Sequence, residues 1–281
     1  GGLHRYSVDE KWLTPHFEKM LYDQAGLLRV LSKFSLVHPS PLVLDAIYNT
    51  LTYLEKEMLS EDGFFMSSQD ADSEGQEGLY FTFSEDEFLD VIHNEELNFS
   101  EEEIDKIKKW IPVTKEGNFE TSLNIITLDH SKIHETFTNE NWDLIRKTRA
   151  ALLKSRSLRI PPKTDRKGIA GWNFLLLSSF CDVIQYVKIP AIKQYASSLL
   201  KKSLEPSLKI FTKVDGSKTQ LIHSTTMEGK TDLFEDYVFF AHLMMRSYEV
   251  SGNDVFKINL KNVLTMIQKE FYNEEKFLTT K

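Results

Sequence analysis

The residues best equipped for chemistry gather at the start of the chain. Residues 1–24 contain His4, Arg5, Tyr6, His16, Glu18, Lys19, Asp23 and Gln24. A histidine such as His16 or His4 could move a proton next to a carbonyl, with Arg5 and Lys19 steadying the negative charge that develops. Such a set would suit a polyhydroxylated or anionic ligand. Buried ion-pair networks gather the same residue types, so composition alone leaves a structural role open.

A second group is acidic. The stretch Gln69-Asp70-Ala71-Asp72-Ser73-Glu74-Gly75-Gln76-Glu77-Gly78 begins like a calcium loop. The twelfth position is Phe81, not the required bidentate glutamate, and the flanks read as strands, which excludes an EF-hand. Paired carboxylates from Asp70, Asp72, Glu235 or Asp236 could serve as acid and base in a hydrolase. The ordinary alternative is a loop whose Asp and Ser side chains satisfy its own backbone. A third group places Trp172-Asn173 at one helix start and Glu235-Asp236-Tyr237 at another. Aromatic rings beside amides and carboxylates match the apolar faces and hydroxyl edges of sugars, and also match plain capping and packing.

Helices must position these groups. Three times a helix apolar nearly all round precedes an amphipathic one, at 15–34 with 41–59, 171–187 with 190–208, and 232–250 with 254–271. Thr14 is the expected N-cap of the first helix, with Pro15 in its first turn. His16, Lys19 and Asp23 then fall on one arc, continued by Met20, Leu27, Val30 and Phe34. Ser84 with Glu87 and Ser100 with Glu103 form capping boxes for two short helices, and Asn139 is expected to cap a helix to about residue 157. Strand-like echoes recur at Asp62-Gly63-Phe64, Glu116-Gly117-Asn118-Phe119 and Glu274-Glu275-Lys276-Phe277, and Leu79-Tyr80-Phe81-Thr82-Phe83 reads as a strand. The pattern predicts an all-α fold of class (α/α)6, toroid-like and incomplete, with short β-hairpins at one end, in one domain over 1–281.

Composition narrows function. The 281 residues are 41% hydrophobic with a net charge of −8, which argues against nucleic acid as partner. No apolar run approaches a membrane span and no secretory signal is evident. Cys181 is the single cysteine and reads as a small core residue in a reducing, cytoplasmic setting. No phosphate-binding glycine loop or zinc motif is present, so no cofactor and no metal are expected. Gly1-Gly2 in place of an initiator Met reads as a piece of something longer.

The stretches GGLHRYSVDEKWLTPHFEKMLYDQA, SQDADSEGQEGLYFTFSEDEF and LFEDYVFFAHLMMRSYEVSGN, with KTDRKGIAGWNFLLL between the last two, carry a resemblance. The chain resembles the thioredoxin-domain-containing family that includes spermatogenesis-associated protein 20. The resemblance implies the six-hairpin helical toroid of glycosidases and N-acylglucosamine 2-epimerases, without the thioredoxin domain and without the last hairpins. It implies functional candidates at His4, Arg5, His16, Glu18, Lys19, Asp23 and Gln24. Asp70, Asp72, Glu74, Glu77, Trp172, Asn173, Glu235 and Asp236 join them. The family's Trp-Asn-Gly reads Trp172-Asn173-Phe174 here. The expected function is carbohydrate binding or processing, epimerase/isomerase-like or glycosidase-like. The alternative is a non-catalytic interaction module, with a homodimer or a thioredoxin-like domain as partner.

Overall fold

A computed structural model describes residues 1–215, 218–226, 232–273 and 276–280. Among them are nine α-helices: α1 (Leu21–Phe34), α2 (Pro41–Tyr53), α3 (Glu85–Ile92), α4 (Glu101–Trp110), α5 (Asn139–Arg156), α6 (Ala170–Tyr186), α7 (Pro190–Phe211), α8 (Phe234–Ser251) and α9 (Asp254–Glu270). The strands are short: β1 (Tyr6–Ser7), β2 (Pro15–His16), β3 (Lys19–Met20), β4 (Ser68–Gln69), β5 (Asp72–Ser73), β6 (Gln76–Glu77), β7 (Thr164–Asp165), β8 (Thr212–Asp215), β9 (Lys218–Leu221), β10 (Tyr272–Asn273) and β11 (Lys276–Phe277). The fold is mostly helical with small strand pairs. The chain packs as two compact units, one formed by residues 1–3, 19–69 and 164–281, the other by 4–18 and 70–163.

The first unit holds the three helical hairpins. α6 lies between α1 and α8, while α2 packs on α1, α7 on α6 and α9 on α8. This is the two-layer hairpin arrangement of an α/α toroid segment. α6 is buried nearly all round, from Ala170 and Phe174 to Cys181 and Val183, whereas α9 buries only Val263 and Ile267. Each fully buried Leu or Phe contributes about 1.5–3 kcal/mol by leaving water. The serines inside α6 do not break the helix because each hydroxyl donates back along it, Ser178 to Phe174 O and Ser179 to Leu176 O. β3, β4 and β7 form a three-stranded antiparallel sheet, and β8 pairs with β9.

Helix α1 begins at Leu21, six residues later than the sequence pattern suggests. Pro15–His16 pairs instead with Tyr6–Ser7, and Lys19–Met20 with Ser68–Gln69. The expected cap Thr14 is not one: its N–H donates to Asp9 Oδ2, as those of Lys11 and Leu13 donate to Asp9 Oδ1. These non-local partners satisfy backbone groups that a longer helix would have paired locally. His16, Lys19 and Asp23 therefore share no helical arc. The core face of α1 is Leu21, Ala25 and Leu28, while Val30 is 63% and Phe34 44% exposed, the reverse of their expected burial.

The second unit is smaller and carries α3, α4 and α5 around Phe88, Ile92, Ile107, Trp110 and Ile145. Both predicted capping boxes are present at Ser84 and Ser100. Thr138, not Asn139, caps α5, accepting from the Asn141 N–H. The acidic stretch is itself a hairpin, β5 with β6, turning through Glu74 and Gly75. The 79–83 segment is a turn, not a strand, and reaches Asn124 only through the bridge at Phe83. Gly117 sits in a turn with φ of 82°, so Glu116-Gly117-Asn118-Phe119 is no strand. In the first unit the Asp62-Gly63-Phe64 echo is likewise a turn, closed by the bridge from Leu59 to Phe65. Glu274 and Glu275 lie outside the described residues, and Lys276–Phe277 pairs with Tyr272–Asn273.

Candidate functional site

The candidate residues divide between the two units. In the first, several of them hold main chain. Asn173, one turn into α6, accepts from Phe65 N–H at 2.7 Å and donates to Phe65 O at 3.0 Å, pairing both polar groups of a residue 108 positions away. Gln24 does the same for Leu3, at 2.6 and 2.8 Å. Lys19 is buried, donates to Gly1 O at 2.8 Å and lies 4.6 Å from the centre of the Tyr53 ring. Asp23 occupies the first turn of α1, and Trp172 sets its ring edge-on to Tyr22.

The helix starts of α6 and α8 form the sharper arrangement. Asp236, fully buried, accepts from Gly171 N–H at 2.9 Å through Oδ1 and binds His223 Nδ1 at 2.9 Å through Oδ2. Glycine at 171 leaves room for this contact, because a Cβ there would stand 2.8 Å from Asp236 Oδ1 and push the carboxyl aside. His223 is held by its backbone as well: its carbonyl accepts from Ala170 N–H, and the Ile169 bridge to Ser224 fixes the next residue. Burial pushes the Asp236 carboxyl above its ordinary range, opposed by the His223 hydrogen bond and charge and by the Gly171 N–H. A carboxylate accepting from Nδ1–H leaves Nε2 as the basic nitrogen of the ring. The imidazole is 21% exposed. An imidazole oriented in this way is the arrangement that a general base or acid requires. Tyr237 next door donates to Asp232 and accepts from Leu221 N–H, while Glu235 points its residue to solvent. The sequence singled out Asp236 but missed His223, which is thirteen residues away and belongs to no helix.

In the second unit a polar cluster centres on His16. Its Nδ1 lies 2.9 Å from Glu77 Oε1 and its Nε2 3.6 Å from Glu18 Oε2, and Arg5 donates to the same Glu18 oxygen at 2.9 Å. Tyr6 tilts against the His16 ring at 5.1 Å. His4 is positional: Nδ1 is 2.8 Å from Phe17 O and its ring meets Phe17 and Phe81 edge-on. Asp70 accepts from the following N–H, and Asp72 is exposed on β5. A cavity of about 290 Å³ opens elsewhere in this unit, with Glu74, Tyr80, Glu87 and Arg159 in its wall. Sequence reasoning found Glu74 alone among these, since Arg159 is recruited from 72 positions beyond Glu87. Among the described residues no group of three or more His, Cys, Asp or Glu is placed to hold a metal.

The geometry defines an α/α-hairpin protein with an Asp–His pair beside the starts of α6 and α8. No family model matches the chain. By sequence it is homologous to spermatogenesis-associated protein 20, with 30% identity to the human protein over 202 residues, covering 64% of this chain and 26% of that one. An uncharacterised protein of Caenorhabditis elegans is 23% identical over 97% of this chain and 40% of its own length. The chain thus spans about a quarter of the spermatogenesis-associated relatives it matches. Solved structures similar to it include a sugar epimerase from a ruminal bacterium (TM-score 0.35, 10% identity, all of this chain and 84% of that one). Another is cellobiose 2-epimerase from Spirochaeta thermophila (TM-score 0.37, 12% identity, all of this chain and 82% of that one).

Proposed function

We propose that the chain is a carbohydrate-processing module of epimerase or isomerase type, with His223 as the group that moves a proton next to a sugar carbonyl. The observation that carries this reading is the buried Asp236 carboxylate holding His223 Nδ1 at 2.9 Å. Asp236 fixes the tautomer and stabilises the imidazolium that forms when Nε2 takes the proton. The role first expected of His16 or His4 passes to His223, because only His223 is oriented by a buried carboxylate. The setting belongs to the same proposal: Cys181 is the single cysteine, buried and free, which fits a reducing cytoplasm. No helix of the described residues is long and apolar enough to cross a membrane.

The test is solvent exchange. Aldoses, ketoses and sugar acids are incubated with the protein in heavy water and followed by proton NMR at the carbon beside the carbonyl. Loss of that signal with the native chain, and its retention with His223→Gln, is the expected result. Retention of the signal for every sugar with the native chain would remove the enzymatic reading.

A second reading has its own support. Asn173, Gln24 and Lys19 are all engaged with main chain, and α1 exposes Val30, Phe34 and, just beyond it, Val37 at 70%. An apolar strip of this kind suits a non-catalytic interaction module, with a second copy or a thioredoxin-like domain as partner. Light scattering distinguishes them: self-association lost in Val30→Lys favours this reading.

A further inference from the structure

The lining of the second unit's cavity includes neither Asp236 nor His223, and its wall is rich in acceptors. Leu79, Leu123 and Ile160 give it an apolar body, and Tyr80 adds a ring. The remaining lining residues are Ser73, Glu74, Thr82, Glu87 and Arg159, and the two hydroxyls and both Arg159 Nη atoms donate within the protein. Ser73 Oγ donates to Ile160 O at 2.5 Å and Thr82 Oγ1 to Gly78 O at 3.1 Å. Arg159 Nη1 donates to the carbonyls of Leu79, Tyr80 and Thr82, and its Nη2 to Glu87 Oε1 at 3.0 Å. Glu87 also accepts from Ser84 N–H, so its charge is matched by Arg159 and its oxygens are paired.

What remains is chiefly acceptors, beside the Tyr80 hydroxyl, which can accept or donate. Each hydroxyl oxygen that donates keeps lone pairs, and the exposed Glu74 carboxylate forms no hydrogen bond or ion pair with a described residue. With Glu87 and Arg159 cancelling, Glu74 leaves the cavity with a formal charge of −1 from its lining residues. Glu74 is also held in an uncommon conformation, φ 54°, at the turn of the β5–β6 hairpin. A side chain with a Cβ reaches that region at a cost of about 1–2 kcal/mol, so the turn carries Glu74 where glycine would be easier.

We infer that this cavity binds the primary ammonium group of a small molecule, with Glu74 as its counter-ion and Leu79, Leu123, Ile160 and Tyr80 around its body. An ammonium has three donors and no acceptor, the complement of a wall rich in acceptors. The volume of about 290 Å³ accommodates either an amino sugar or a short aliphatic amine. A single exposed ion pair is weak, so the expected affinity is about millimolar.

The experiment is an NMR chemical-shift titration of the full chain at about pH 6, where amines stay protonated. Four probes separate the possibilities: glucosamine, N-acetylglucosamine, glucose and 1,5-diaminopentane. At least one of the two amines should bind about tenfold more tightly than the two uncharged sugars, and which amine does so identifies its source. Glu74→Gln should abolish the preference while leaving the thermal unfolding midpoint unchanged, and raised salt should weaken it. Equal binding of charged and uncharged probes would overturn the inference. So would a preference that survives Glu74→Gln, or no shift with any probe at residues lining the cavity. None of these outcomes bears on His223, which is tested separately by solvent exchange.

Discussion

Asp236 Oδ2 and His223 Nδ1 stand 2.9 Å apart, with the carboxyl buried and the imidazole partly open to solvent. Removing either partner should therefore have different consequences. Asp236→Asn removes the negative charge that stabilises the imidazolium and can present an N–H to Nδ1, favouring the wrong tautomer. Exchange beside the sugar carbonyl should fall by about 10⁴-fold, as for other oriented histidines. His223→Gln should abolish it with a smaller change in unfolding temperature, since the residue is partly exposed. Equal stability losses with unchanged exchange in both variants would make the pair structural.

Asn173 ties α6 to Phe65 through both backbone groups of that residue. Asn173→Ala leaves a buried N–H and C=O without those partners, a cost of about 1–3 kcal/mol for each unsatisfied group. Asn173→Asp keeps the acceptor but buries a carboxylate oxygen against the Phe65 and Ile169 carbonyls, and should be at least as destabilising as Ala. Urea unfolding checks the order.

His242 on α8 is largely desolvated, which pushes its pKa down to about 4 from 6.5. Arg29 and Lys33 of α1 and Arg246 of α8 add to the lowering, and Glu249 opposes it. The unfolded chain therefore binds a proton that the folded one refuses. Between these two values stability falls as pH drops, and above 6.5 this contribution is fully present. His242→Gln should flatten the decline, measured by urea midpoints at about pH 7, 6 and 5. An unchanged slope would refute the assignment.

Arg159 gathers the 79–82 turn by three carbonyls and joins it to Glu87. Lysine has no planar fork to reach carbonyls and carboxylate together, so Arg159→Lys should not rescue Arg159→Ala. Both variants should speed proteolytic cleavage in the 79–83 segment by several-fold. A Lys variant as resistant as wild type would show that charge alone suffices there.

At Glu74, where φ is 54°, Glu74→Gly should relieve backbone strain and raise stability by about 1 kcal/mol or less. The same change should remove the preference for ammonium ligands. Thermal unfolding and the titration described above measure the two effects on one variant.

Local chemistry made much of the fold legible. The hairpin pairs α1–α2, α6–α7 and α8–α9 follow from apolar periodicity, and both Ser-x-x-Glu boxes cap as their spacing requires. The start of α1 was not legible, because strand pairing with residues near 68 overrode a helical pattern that continued unbroken through 15–20. The candidate site was legible as residue types, not as partners. Asp236 stood out as a carboxylate at a buried helix start, yet His223 lies in a connection with no periodic signal, and the pairing of 223–225 with 168–170 brings it there. Asn173 and Gln24 looked like ligand-binding amides until tertiary packing gave each a main-chain partner. Periodicity depends on neighbours within a few residues and is written in the sequence itself, whereas the partners of a polar side chain depend on which distant backbone the packed helices bring to it.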